Sequence, residues 1–283
     1  MKNQDLTIIS VTYNSKEIIS QFLKDIYQKF EIIIVDNASK DGTADFVRDN
    51  FPEVKIIKSE KNLGYGRGAN LGLQSLSTDY AFLLNPDIIS DEAAIINLLE
   101  VAKNTKNLGV LAPATDENEY IKSENFIAEK TNWVVGATML FKMENLKKIG
   151  FFDENIFLYY EETDLCKRIE KAGFEILICK NILLKHLVGK SSTPNPKIEY
   201  LKYWHSSWSK FYFYKKHLSL QNFRKKSLSL SFSYLLKYLL YIISFNKLKA
   251  IKYKARLAGG INFLLGAKAF DEAGNPRGLN SNN

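Results

Sequence analysis

The sequence predicts an α/β protein: strands and helices alternate toward a parallel sheet, and a helical, basic region follows at the C-terminal end. Three observations carry this. Over the first 110 residues, short runs rich in Ile, Val and Leu alternate with amphipathic stretches, the pattern of βαβ units. Polar clusters stand directly after several of these runs. The charge is also divided. Residues 1–199 hold 24 Lys/Arg against 29 Asp/Glu, whereas residues 200–256 hold 13 Lys/Arg and no acid. The net charge of +8 over 283 residues is therefore an acidic body carrying a basic, aromatic tail, which points to a polyanionic surface as the tail's partner.

Taken in order, LTIISVTYN (residues 6–14) reads as a buried strand and residues 15–28 as a helix. EIIIVDN (31–37) is a second strand, and residues 41–50 form a helix with an Asp or Ser capping near its start. VKIIKS (54–59) is a third strand, followed by a helix over 66–77. YAFLLNPD (80–87) is a fourth, with a helix over 91–103, and LGVLAP (108–113) a fifth. Ligands of such sheets sit at the carboxyl ends of the strands. Thr12-Tyr13-Asn14, Asp36-Asn37 and Asn85-Pro86-Asp87 lie at such ends. Beyond residue 131 the order loosens: NWVVGATMLFK (132–142) is apolar around one glycine, and residues 151–173 turn from aromatic to acidic to helical. TPNP (193–196) is the best boundary to the tail. The reading is one domain over 1–198 and a helical basic region over 199–283.

Composition narrows the function classes. With 46% hydrophobic residues the chain has ample material for a core. Cys166 and Cys179 form neither a C-x-x-C pair nor a disulfide framework, and the first apolar run is broken by Thr7 and Thr12, unlike a secretory leader. A reducing, cytoplasmic setting is expected. The basic tail carries no nucleic-acid-binding motif, so no nucleic-acid partner is expected.

NLGYGRGANLG (62–72) contains Gly64-x-Gly66-x-x-Ala69, the spacing of a dinucleotide fingerprint. That fingerprint belongs on the first strand–helix turn. Here the first turn, TYNSKE, has no glycine and the loop follows the third strand. Nicotinamide and flavin binding are set aside. GKSS (189–192) lacks the upstream glycine of a P-loop, so that reading falls too.

The remaining motifs occur in one order: ISVTYNS, IIIVDNASKDGT, NLGYGRGANLGL, LLNPD, WVVGATMLF, FFDENIFLYYEETDLCKRI and KHLVGKSS. Together they resemble a family 2 glycosyltransferase of the GT-A fold, most nearly the rhamnosyltransferase-like branch, over roughly residues 5–220. The resemblance implies an inverting enzyme using a nucleotide-diphosphate sugar and a divalent metal, Mg²⁺ or Mn²⁺. Asp36 then stands where a strand-end carboxylate accepts hydrogen bonds from base and ribose, with Asn37, Thr12, Tyr13 and Asn14 lining the same pocket. Gly64 lets the loop approach the nucleotide, Arg67 meets phosphate or ribose, and Asn70 supports the loop. Asn85-Pro86-Asp87 takes the place of the D-x-D metal motif, Asn replacing the first Asp. Asp87 holds the metal, joined by His186, while Lys190 holds phosphate oxygens. Trp133, Gly136 and Ala137 face donor sugar and acceptor.

Inversion needs a carboxylate that takes the acceptor's proton. The resemblance puts Glu162 in that place, Glu standing where Asp is more usual. Glu161 orients an acceptor, and Asp164 caps the helix or pairs with Arg168 one turn on. The donor is expected to be of the dTDP-rhamnose or UDP-hexose type and the acceptor a glycan or lipid-linked glycan. The alternative of another class is a non-catalytic subunit that binds sugar nucleotide or glycan. For the tail, an interfacial helix pair on anionic lipid at the inner face of the membrane stands beside a packed appendage. Leu228–Phe245, with Lys237 at its middle, is marginal for a span.

Overall fold

The computed structural model describes residues 2–123, 125–187 and 196–278. The elements run β1 (Asn3–Thr12), α1 (Lys16–Leu23), β2 (Phe30–Asp36), α2 (Thr43–Asn50), β3 (Lys55–Lys58), α3 (Tyr65–Gln74), β4 (Tyr80–Leu84), α4 (Glu92–Lys103) and β5 (Leu108–Ala114). There follow β6 (Glu129–Lys130), β7 (Thr138–Lys142), α5 (Met143–Ile149), α6 (Glu161–Lys171), β8 (Glu175–Leu183), α7 (Pro196–His217), α8 (Leu220–Ile243) and α9 (Lys247–Leu264). The chain divides into two compact units: Met1–Asp153 with Glu162–Thr193, and Glu154–Glu161 with Pro194–Asn283.

In the first unit the strands form one sheet in the order β3-β2-β1-β4-β7-β5-β8-β6. Side chains alternate between its faces, as strand geometry demands. Ile8, Ile34, Phe82 and Leu140 pack on one face with Phe22, Val47 and Leu98 of the covering helices. Ile9, Val35, Leu83 and Phe141 pack on the other with Leu73, Leu146 and Leu165. Both faces of the central strands are therefore dry, which is why those strands read as unbroken apolar runs.

Two expectations are corrected. The sheet is mixed rather than parallel, because β7 enters antiparallel between β4 and β5. The cause is connectivity: the chain leaves β5 and, after a long link, re-enters the sheet from the same end, so that β7 runs back against β4 and β5. The capping of α2 also differs. Its N-cap is Gly42, left-handed at φ 80°, without a side-chain bond. Asp41 instead bridges two helix starts, its carboxylate accepting from Thr43 N–H and from Lys16 N–H of α1, each at 3.0 Å.

The glycine loop serves packing. Gly64 turns the chain at φ 83°. A Cβ on Gly72 would stand 2.5 Å from Ile9 Cγ2, and one on Gly68 2.9 Å from Val11 Cγ1. Those two glycines bring α3 down onto β1.

In the second unit, α7 and α9 also meet at glycines. A Cβ on Gly259 would overlap the Trp204 carbonyl, and one on Gly260 would press on the Phe211 ring. Trp204, Trp208, Phe157 and Phe270 form the core there. His205 is buried among them, its pKa pushed down to about 3 by burial, and its Nε2–H donates to Arg277 O at 2.9 Å. Helix α8 is inverted. Its buried residues are Ser227 and Tyr234, while Leu228, Phe232, Leu236, Leu240 and Ile243 are exposed. Phe245 and Leu248, at the turn into α9, are 89% and 81% exposed. Among the described residues no helix is long and apolar enough to cross a membrane.

Candidate active site

One edge of the sheet gathers most of the predicted residues. The ends of β2, β1 and β4 lie side by side there, Thr12 pairing with Asp36. Because β7 is antiparallel, its first residue, Thr138, pairs with Leu84 at the same edge. From β2 to β7 is three strand spacings, about 14 Å at ~4.8 Å each. That leaves room for a nucleoside at one end and a sugar at the other.

At the β2 end, Asp36 is buried and its Oδ1 accepts from Ser39 N–H at 3.3 Å. Asn37 does not open toward a ligand. Its Nδ2 donates to Asn62 Oδ1 and Gly64 O, each at 3.0 Å, and its Oδ1 accepts from Leu63 N–H at 2.8 Å. Asn37 is thus the clamp that holds the glycine loop against β2. Thr12 is buried, Tyr13 is exposed, and Asn14 Oδ1 accepts from Lys40 N–H at 2.8 Å. Asn14 and Ala38 are left-handed, at φ 53° and 65°. Non-glycine backbone of this kind is strained and collects at functional sites. Arg67 lies half-buried in the first turn of α3. Asn70 holds a different segment from the one expected. Its side chain exchanges two 3.0 Å hydrogen bonds with the Phe152 backbone.

At the end of β4, Asn85 N–H donates to Ala137 O at 2.9 Å, which joins the turn to the segment entering β7. Residues 87–89 pair with 185–187: Leu187 N–H donates to Asp87 O and Ile89 N–H to Lys185 O, each at 2.9 Å. This pairing delivers His186, whose Nε2 lies 3.1 Å from Asp87 Oδ1. Asp87 is 3% exposed. Lys190 lies outside the described residues.

These groups suit a divalent metal of the kind the resemblance implies. A buried carboxylate and an imidazole are adjacent, and Asn85 Oδ1 is a buried oxygen with no hydrogen-bond partner among the described residues. Among those residues no three His, Cys, Asp or Glu converge. A hard cation that keeps substrate phosphates and water in its shell is held by one or two carboxylates, so the fit is to a metal shared with a diphosphate.

Glu162 sits in the first turn of α6, against Gly136. A Cβ on Gly136 would stand 3.4 Å from Glu162 Cβ, so glycine leaves the space over this side chain open. Trp133 Nε1–H donates to Thr163 Oγ1 at 3.3 Å, and the Thr163 hydroxyl donates to Glu162 Oε1 at 3.1 Å. Tyr65 completes the frame, its hydroxyl donating to Gly136 O at 2.6 Å. Burial raises the Glu162 carboxyl above the ordinary glutamate range, and the first-turn amides and the Thr163 and Trp133 donors offset this only in part. The same helix separates the other acids. Asp164 is fully buried and paired with Arg168 Nε at 2.8 Å. Arg168 in turn donates to the carbonyls of Ile149, Gly150 and Phe151, so Asp164 anchors the helix. Glu161 falls in the second unit, buried, directly after two left-handed residues, Tyr159 and Tyr160, at φ 65° and 72°.

Sequence reasoning missed Tyr65, Asn62 and Thr163. Tyr65 and Asn62 lay in plain view inside the glycine loop, and Thr163 between the acids.

A family model described as Glycosyl transferase family 2 matches residues 7–164. The chain is 23% identical over 219 residues to the N-acetylglucosaminyl-diphospho-decaprenol L-rhamnosyltransferase of Mycobacterium tuberculosis, covering 60% of this chain and 71% of that one. It is 25% identical over 202 residues to the low-salt glycan biosynthesis hexosyltransferase Agl10 of Haloferax volcanii, covering 62% and 65%. Among solved structures, the Pyrobaculum calidifontis mannosyltransferase PcManGT in complex with GDP-Man and Mn²⁺ superposes with a TM-score of 0.60 at 16% identity, over 93% of this chain and 87% of that one. The fold is that of the GT-A glycosyltransferases, with a helical C-terminal region.

Proposed function

Because the chain belongs to glycosyl transferase family 2, we propose that it moves a sugar, with inversion, from a nucleotide-diphosphate donor to a hydroxyl of a lipid-linked or polysaccharide glycan. The observation that carries this reading is one sheet edge bearing the buried Asp36 carboxylate, the Asp87–His186 pair with its aspartate buried, and the half-buried Glu162 carboxylate. Asp36 accepts from the base and ribose of the donor, with Thr12, Tyr13 and Asn14 around it and Arg67 toward the phosphates. Asp87 and His186, with Asn85 beside them, hold the divalent metal. When bound, that metal neutralises the leaving diphosphate. Gly136 and Ala137 leave room for the sugar ring. Glu162 takes the proton of the acceptor hydroxyl as its oxygen bonds to the anomeric carbon and the diphosphate leaves from the opposite face. The donor is of the dTDP-rhamnose or UDP-hexose type.

The test is a screen of nucleotide sugars for thermal stabilisation of the chain with and without Mn²⁺ or Mg²⁺. A metal-dependent rise with one donor is expected, and no response to any donor would overturn the reading. Asp36→Ala is expected to weaken nucleotide binding about 10–100-fold, the worth of charge-assisted hydrogen bonds at ~1.5–3 kcal/mol. Calorimetric titration with UDP and dTDP measures it, and undiminished affinity for both would reduce Asp36 to a turn-former.

The second unit supplies the membrane contact in this reading. Its inverted α8 and the exposed Phe245 and Leu248 present apolar surface beside a segment with 13 basic residues and no acid. Such a helix lies in the interface, each Lys or Arg near anionic lipid adding about 1 kcal/mol. Sedimentation with anionic liposomes is expected, reduced by salt and by the F245S/L248S double variant. Equal partition to neutral vesicles, or none, would favour a packed appendage.

A further inference from the structure

Glu162 and Thr163 are neighbours on α6, and successive helix positions point about 100° apart. A bond between their side chains requires the glutamate to fold back over its own helix start. It does so. Its carboxylate accepts from the first-turn amides, which have no partner inside the helix, and its Oε1 accepts from the Thr163 hydroxyl at 3.1 Å. Both side chains are half-buried.

The direction of the Thr163 proton is set from outside the helix. The Trp133 indole N–H, which can only donate, points at Thr163 Oγ1 from 3.3 Å. With its oxygen accepting there, the hydroxyl's one proton goes to Glu162. Trp133 is itself held in place. Thr131 N–H donates to Ile176 O of β8 at 2.9 Å, and the Thr131 hydroxyl donates to Trp133 O at 3.2 Å. Directed bonds thus run from the sheet through Thr131, Trp133 and Thr163 to the carboxylate. Residues 131–137 contain no titratable side chain. On α6, the buried Glu161 precedes the pair and Asp164 is committed to Arg168. The buried Cys166 thiol, pushed up to about 11, is neutral through the physiological range.

We propose that Thr163 is a positioning residue for the base: its hydroxyl, oriented by Trp133, holds Glu162 Oε1 and leaves Oε2 to receive the proton of the acceptor hydroxyl. This role rests on Glu162 being the base of the transfer. As the acceptor oxygen bonds to the anomeric carbon, its proton passes to Oε2. The bond from that carbon to the diphosphate breaks, and its electron pair leaves with the diphosphate. A donor to the carboxylate favours its ionised form, so the Thr163 bond opposes the effect of burial and keeps the base available at lower pH.

The full chain, labelled with ¹³C at its glutamate carboxyls, is titrated by NMR, the Glu162 signal being the one lost in Glu162→Gln. T163V keeps the side chain's volume and removes its hydroxyl, T163A removes the hydroxyl without β-branching, and T163S keeps it. T163V and T163A are expected to raise the Glu162 midpoint by about one pH unit, a tenfold change in the ionised fraction. T163S leaves it near wild type. Rates are read, with Mn²⁺ present and water as acceptor, as release of UDP or dTDP from UDP-glucose, UDP-N-acetylglucosamine or dTDP-rhamnose. The acid limb of kcat is expected to move up by the same amount in T163V, with KM for the donor unchanged, and to return in T163S. An unmoved Glu162 midpoint in both T163V and T163A overturns the proposal. So does a T163S midpoint displaced as far as that of T163V, which marks packing alone. A midpoint that moves while the acid limb stays shows the bond without the base, and overturns the reading of Glu162 on which the proposal rests.

Discussion

Glu162→Gln is expected to lower transfer by about 10²–10⁴-fold while donor affinity stays nearly unchanged. That is the usual contribution of a general base, and the substitution keeps shape while removing the proton acceptor. The frame around the side chain makes the experiment clean. Gly136 contacts it without depending on its charge, and the Thr163 hydroxyl has an amide oxygen to donate to in the glutamine variant. Single-turnover transfer and donor titration separate the two effects. Burial raises the Glu162 pKa, and only the ionised form accepts a proton. The acid limb of the rate profile therefore lies above the ordinary glutamate range, and activity rises with pH through it. Stability moves the other way. Above the unfolded pKa the folded state still holds a proton that the unfolded chain has lost, so stability falls as pH rises toward the folded pKa. Glu162→Gln should thus unfold at a higher temperature than wild type at neutral pH. Normal transfer by this variant, with Glu161→Gln or Asp164→Asn dead, would move the base elsewhere.

Asp87→Ala is expected to abolish measurable transfer, at least about 10³-fold, since neutralising a leaving diphosphate supplies several kcal/mol. Its second signature is binding: the metal-dependent part of donor affinity disappears, while metal-free nucleotide binding through Asp36 persists. Titration with and without Mn²⁺ reads this directly. His186→Ala should show a weaker form of the same pattern, because it touches Asp87 at 3.1 Å and is held by the same strand pairing. Full turnover in Asp87→Ala would sink the metal assignment.

Much of the fold was legible because β1, β2, β4 and β5 are buried on both faces and so print unbroken apolar runs. The strand-end clusters at Thr12, Asp36 and Asn85 were legible for the same reason, since each interrupts such a run. The entry of β7 between β4 and β5 was not. Strand order depends on pairings between segments far apart in the chain, and no local pattern records them. Side-chain roles were legible only in part. Asn37 read as lining the pocket and Asn70 as a support for the glycine loop, yet the Asn37 amide binds Asn62 and the loop backbone and the Asn70 amide binds the Phe152 backbone. An amide's partner is chosen by the fold, whereas the position of Glu162 at a helix start is one that the motif itself marks.

The placement of β7 bears on how the chain comes to fold. Strand β4 pairs with β1 on one side and with β7 on the other, and β7 lies roughly 50 residues further along. At a synthesis rate of about 5–20 residues per second, the free edge of β4 waits on the order of 3–10 s for its partner. During that interval Ala81, Phe82, Leu83 and Leu84 form an open, apolar strand edge, the kind that templates pairing with another chain. Slowing elongation between residues 85 and 142 should raise the insoluble fraction.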